Sequence, residues 1–78
     1  MKVIMLIVVE PDKLENVCKS LAKIKNVTKV YEITGEFDIF IELDVESIQV
    51  FRRILKEDIL KIQGIRMTQS SVVMGEWK

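Results

Sequence analysis

The sequence predicts an α+β fold of the ferredoxin-like, split βαβ type: a four-stranded antiparallel sheet with two helices on one face. Three observations lead there. The 78 residues suffice for one hydrophobic core and no more. The hydrophobic period switches between strand and helix in the order β-α-β-β-α-β, without a repeat, linker or low-complexity segment. The first apolar run shows no polar alternation, as expected of a central strand buried on both faces.

Val3-Ile4-Met5-Leu6-Ile7-Val8-Val9 is that run, rich in β-branched residues and closed by Glu10-Pro11. It is far shorter than the roughly 20 residues of a membrane helix. No small-residue cleavage site follows it, so it does not read as a signal peptide. The expected location is cytoplasmic, with no membrane partner. Pro11 lacks an N–H, and Asp12-Lys13-Leu14-Glu15 has capping-box spacing, so a helix starts here. Its apolar stripe is Leu14, Val17, Cys18, Leu21 and Ala22, with Ile24 as the last buried residue. Asn26 can take the left-handed conformation that stops a helix.

Val27 to Ile33 reads as the second strand, with Val27, Lys29, Tyr31 and Ile33 alternating against Thr28, Val30, Glu32 and Thr34. Thr34-Gly35-Glu36 is a tight connection in which Gly35 supplies positive φ. In the third strand Phe37, Ile39, Ile41 and Leu43 line one face, and Asp38, Phe40 and Glu42 the other. Asp44 or Ser47 caps the second helix, with Glu46 placed against its N-terminal dipole. Ile48, Phe51, Ile54, Leu55, Ile59 and Ile62 make its buried stripe, and Gly64 terminates it. The last strand, Ile65 to about Met74, is polar in its middle at Thr68, Gln69, Ser70 and Ser71, which a core does not explain. Gly75-Glu76-Trp77-Lys78 is a short tail.

Composition narrows the chemistry. One Cys and no His rule out an internal disulfide and a structural zinc site. Without imidazole there is no nucleophilic triad or histidine acid–base pair, and no glycine-rich phosphate loop occurs. The reading is a non-enzymatic protein with no cofactor and no metal. Lys+Arg and Asp+Glu both number 12, a balance that argues against direct nucleic-acid binding. A domain this small buries only about 60% of its unfolded surface and needs a staple. With disulfides and metals excluded, the staple left is self-association. Two helices cover one face of the sheet, so Ile4, Leu6, Val8 and Phe40, or the alternating set beside them, fall on the other as the expected dimer interface, packed sheet to sheet.

The hairpin Tyr31-Glu32-Ile33-Thr34-Gly35-Glu36-Phe37-Asp38 resembles the Y-x-x-T-G-D/E-Y/F-D hairpin of the effector-binding domain in the leucine-responsive/asparagine (Lrp/AsnC) family of transcription regulators. Ile62-Gln63-Gly64-Ile65-Arg66-Met67-Thr68 is similar to that domain's last helix and strand. The resemblance spans nearly the whole chain. It is to the stand-alone form of the domain, called RAM, without a helix-turn-helix part, so residues 1–78 are expected to form a single effector-binding and oligomerisation domain. It implies a homodimer, a higher ring such as an octamer or decamer, and a small-molecule effector, an amino acid, bound at subunit junctions. It also implies full-length Lrp/AsnC-type regulators as partners through which transcription is modulated.

Physical chemistry gives each residue a part in that implied site. Backbone N–H groups of the turn Thr34, Gly35 and Glu36 can hold the effector carboxylate, because glycine permits close approach. Asp38 can pair with its ammonium. Thr68 and Ser70, on one face of the last strand, can add hydroxyls from a neighbouring subunit. The residues alone leave alternatives: turn chemistry for the hairpin, a hydrogen bond to the hairpin's own backbone for Asp38, and a polar edge that resists aggregation for Thr68, Ser70 and Ser71. Two rival functions are a small dimeric enzyme of the oxygenase or isomerase type using Asp38, Glu42 or Tyr31, and an RNA-binding module stacking bases on Phe37 and Phe40.

Overall fold

In the computed structural model, which describes residues 1–78, the strands β1 (Lys2–Val9), β2 (Val27–Glu32), β3 (Ile39–Asp44) and β4 (Ile65–Val72) form one antiparallel sheet. Their order across the sheet is β2-β3-β1-β4. Helices α1 (Leu14–Ala22) and α2 (Ile48–Ile54) complete the βαββαβ order read from the sequence. β1 is central, and that position explains its unbroken apolar run. Val3, Met5, Ile7 and Val9 are buried beneath the helices, while Ile4, Leu6 and Val8 are half-buried on the opposite face. β3 continues both sets, because Met5 lies opposite Ile41 and Leu6 opposite Phe40.

The core joins these strand residues to Val17 and Leu21 of α1 and Phe51 and Ile54 of α2, with Ile59 beyond it. Every fully buried side chain is apolar. Because the buried faces of β1 and β3 meet the helices on one side only, the second sheet face stays open in the protomer.

Local details depart from the sequence reading in several places. Ala22 and Ile48, read as parts of the buried helix stripes, are exposed, and β4 ends at Val72, short of Met74. The first helix opens with a 3₁₀ turn at Pro11–Lys13, and neither it nor α1 has a side-chain cap; Lys13 N–H instead donates to the Glu10 carbonyl at 2.8 Å. Proline at the first helical position fixes φ, and the tighter turn supplies the bond that a capping box would have made. Asn26 is not left-handed, since only Gly35 and Gly64 have positive φ. Its side-chain amide donates to the Asp44 carbonyl at 2.9 Å and ties the end of the α1–β2 turn to β3.

In β2 a register shift between Val27 and Lys29 replaces strict alternation. Val27 then lies opposite Leu43 and Val30 opposite Ile41, so both valines reach the core side. The β2–β3 connection is wider than a tight turn: Ile33 N–H bonds the Asp38 carbonyl at 2.9 Å, which leaves Thr34 to Phe37 as the loop. Finally, α2 ends at Ile54 and continues as a single π turn over Leu55–Ile59, closed by Leu60 N–H to the Leu55 carbonyl at 2.8 Å. The wide turn lets Ile54 and Ile59, five residues apart, both reach the core.

Candidate functional site

Asp38 organises the β2–β3 loop. Its backbone N–H donates to the Ile7 carbonyl, and its Oδ2 accepts from Val9 N–H, both at 2.9 Å. β3 begins only at Ile39, so Val9 extends past the strand beside it. The carboxylate supplies the acceptor that the neighbouring backbone does not. The partner of the Asp38 carboxylate is therefore β1 and not the hairpin's own backbone; the carboxylate makes no ion pair within the chain, and its Oδ1 is left free.

The loop that Asp38 anchors is open. Gly35 has φ 109°, and a Cβ placed on it would meet nothing within 4 Å. Glycine is required here by backbone conformation, not by crowding. Thr34, Gly35 and Glu36 are exposed, while Phe37 and Asp38 are half-buried. No lysine or arginine lies between Tyr31 and Phe40, and Glu32, Glu36 and Asp38 make this segment acidic. Such a site suits an ammonium group. A carboxylate would need backbone N–H groups or a cation brought by another chain.

Thr68 and Ser70 do share one face of β4, as expected. They lie opposite Ile7 and Met5, which places them on the helix-bearing side of the sheet. Within one protomer β1 separates them from the loop: Thr68 and Asp38 border Ile7 from opposite sides of that strand. Two surface clefts, of about 400 and 470 Å³, adjoin each other between α1 and the segment after α2, sharing Ser20, Asp58 and Ile62. Neither touches the loop, Thr68 or Ser70, and neither contains the Asp38 and Tyr31 of an enzymatic pocket.

The open sheet face carries Ile4, Leu6, Val8 and Phe40, the first of the two alternating sets that the sequence allows there. Tyr31 and Met67, which that reading left out, join them. Tyr31 lies opposite Phe40 with ring centroids 6.0 Å apart, and Met67 lies opposite Val8. They are 47% and 53% exposed, among the largest apolar groups left to solvent on the sheet. Register would have revealed both, since they alternate in phase with the four named residues. Lys29 and Glu42 face each other on the same side without closing into an ion pair.

Cys18 is half-buried, and burial, followed by the nearby Glu32 charge, pushes its thiol above the ordinary value of 9.0. It packs against the core, and the raised pKa favours the thiol over the thiolate, the nucleophilic form. No cluster of His, Cys, Asp or Glu is arranged to hold a metal ion, and no helix is long and apolar enough to cross a membrane.

Comparison with known proteins bears on this geometry. The family model of the Lrp/AsnC ligand binding domain matches residues 2–78. An uncharacterized HTH-type transcriptional regulator of Pyrococcus abyssi is 38% identical over 64 residues, covering 82% of this chain and 40% of that protein. The chain thus spans about 40% of the length of the curated relatives it matches. Among solved structures, a Thermus thermophilus protein superposes with a TM-score of 0.93 at 17% identity, over 99% of this chain and 96% of that one. A transcriptional regulator of Neisseria meningitidis, solved as an L-Met complex, gives 0.92 at 23% identity, over 99% of this chain and 51% of that one. At these identities the structural likeness establishes the fold.

Proposed function

Because the chain belongs to the Lrp/AsnC ligand-binding domain family, a regulatory and not an enzymatic one, we propose that it senses an amino acid at junctions between copies of itself. Residues 1–78 act as one effector-binding and oligomerisation domain in the cytoplasm. The effector state passes to transcription through full-length Lrp/AsnC-type regulators that carry DNA-binding parts. The observation that carries this reading is the β2–β3 loop. It is pinned to β1 by Asp38 yet open at Gly35, with no cavity beside it in the protomer. A loop held this firmly and left this bare is a half-site.

In this reading Asp38 offers its free oxygen to the effector ammonium. The backbone of Thr34, Gly35 and Glu36 receives the carboxylate. Thr68 and Ser70 arrive from another copy, which resolves their distance from the loop in a single chain. The copies pair through Ile4, Leu6, Val8 and Phe40, and the dimers close into a ring such as an octamer or decamer. The L-Met bound by the Neisseria regulator supports an amino acid as the effector class.

Titration calorimetry with L-Met and the other proteinogenic amino acids, run beside light scattering, tests the proposal. At least one amino acid is expected to bind and to change the mass distribution, and Asp38→Asn is expected to abolish that heat. A chain that stays monomeric and silent to every amino acid overturns the reading.

A further inference from the structure

The helix-bearing side of the molecule carries the two adjoining clefts, and neither the β2–β3 loop nor the open sheet face uses them. Together they form one trough along α1. Lys13 and Lys61 line the first cleft and no part of the second, whereas Lys23 and Lys25 line the second and no part of the first. Ser20 and Asp58 line both, so they sit at the middle. Lys13 and Lys23, at the two ends of α1, stand roughly 15 Å apart along its axis. Their flexible stems let both ammonium groups turn inward.

Elsewhere on these helices the charges pair, Lys19 with Glu15 at 3.2 Å and Arg53 with Glu57 at 3.9 Å. In the trough they do not. Lys13, Lys23, Lys25 and Lys61 make no ion pair, and neither does Asp58. The side chains of Asn16, Ser20 and Gln63 make no hydrogen bond within the chain. Lys13 is half-buried, and Gly64 makes room for it, since a Cβ there would collide with the Lys13 side chain. Ammonium groups from two segments of chain, gathered around one trough, repel one another until an anion enters it.

The lining selects the chemistry. Lysines at both ends call for an anionic group at each end of the ligand, because an ammonium only donates. Asp58, which only accepts, calls for a donor at the ligand's middle, and Ser20, Asn16 and Gln63 both donate and accept around it. The apolar side chains of the trough are Ile24 and Ile62, so there is no aromatic platform on which a nucleobase stacks. We propose that the trough binds a sugar bisphosphate. Its hydroxyls donate to Asp58, and its phosphates accept from Lys13 and Lys61 at one end and from Lys23 and Lys25 at the other. Glu57, the second carboxylate of the lining, is engaged by Arg53. The site lies within one protomer and on the far side of the sheet from the open face, so it is separate from the amino-acid site proposed above.

Fructose bisphosphate, with phosphates on its two terminal carbons, is the probe, titrated into the full chain by calorimetry and amide NMR. Saturable binding is expected, with shifts at Asn16, Ser20, Asp58 and Gln63 and none at Thr34, Gly35 and Glu36. Fructose with one terminal phosphate reaches only one end and is expected to bind about fivefold more weakly, as is the bisphosphate to Lys13→Gln or Lys23→Gln, the loss of an exposed ion pair. Should Lys13→Gln disturb the 3₁₀ turn, Lys61→Gln serves in its place with the same expected loss. Lys19→Gln, outside the trough, is expected to leave binding unchanged. No saturable binding at millimolar bisphosphate overturns the proposal. So does inorganic phosphate or citrate that binds as tightly, a loss in Lys19→Gln equal to that in Lys23→Gln, or shifts centred on the β2–β3 loop. A chain that binds the bisphosphate in the trough but no amino acid upholds this site and counts only against the loop.

Discussion

In the proposed site Asp38 serves structure and ligand at once, because its two oxygens face different demands. One satisfies Val9 N–H, a half-buried backbone donor. Asp38→Ala strands that donor, which costs on the order of 1–3 kcal/mol. Asp38→Asn keeps an acceptor oxygen and is expected to recover most of the melting temperature lost in Asp38→Ala, while still lacking the charge that an ammonium needs. Thermal unfolding of the two variants beside calorimetry separates the roles. The two positive-φ glycines divide similarly. Gly64, at φ 106°, would drive a Cβ into the Lys13 side chain, whereas Gly35 faces open space. Gly35→Ala should cost only backbone strain, about 1–3 kcal/mol. Gly64→Ala adds a collision with the 3₁₀ turn at Pro11–Lys13, so chemical denaturation should show the larger loss there. Cys18 sets an alkaline limit. A thiol pKa raised by burial means the folded state holds its proton more tightly than the unfolded chain. That stabilisation is full below about 9 and fades as pH rises through the folded value. Denaturant midpoints should fall faster above that pH in the wild type than in Cys18→Ala.

Elements were legible wherever one period governed them. The unbroken run of β1 and the alternation of Ile39, Ile41 and Leu43 in β3 translate directly into a central strand and its neighbour, and Ser47 was one of two caps named for α2. Illegible features were those in which tertiary contacts overrode the period. The shift at Val27/Lys29 puts two valines on the core at a three-residue interval that no strand template contains. The π turn does the same between Ile54 and Ile59. A loop at Thr34 to Phe37 is legible because turn chemistry is local, but the anchor of Asp38 on β1 spans 29 positions and leaves no local trace. Thr68 and Ser70 were assigned to one face correctly, yet only the register with Ile7 and Met5 reveals which. At this scale Ser47 offers the simplest check. Its hydroxyl accepts from Val50 N–H at 3.2 Å, so Ser47→Ala should cost about 1 kcal/mol in an unfolding titration.

For the whole molecule, the imbalance between the two sheet faces decides behaviour. One face is sealed by helices and the other shows Ile4, Leu6, Val8 and Phe40 flanked by Tyr31 and Met67. A contiguous apolar patch on so small a domain is stabilised by covering it, and the stabilisation grows by roughly 25 cal/mol for each Å² of apolar surface withdrawn from water. Phe40→Lys places a charge in the middle of that patch, next to Leu6 and Tyr31, while the core face of β3 is untouched. Its secondary structure should survive, its mass in solution should halve at least, and its melting temperature should lose the dependence on protein concentration that linked assembly confers. Linkage also ties the face to the loop. If the effector binds only where copies meet, binding and assembly share one free energy. Phe40→Lys should then weaken amino-acid binding even though residue 40 touches no effector. Asp38→Asn should leave the mass unchanged without effector and remove only the effector-dependent change. Calorimetry on Phe40→Lys at several protein concentrations checks this. Affinity that recovers as concentration rises places the site between copies, and affinity equal to wild type at every concentration places it within one.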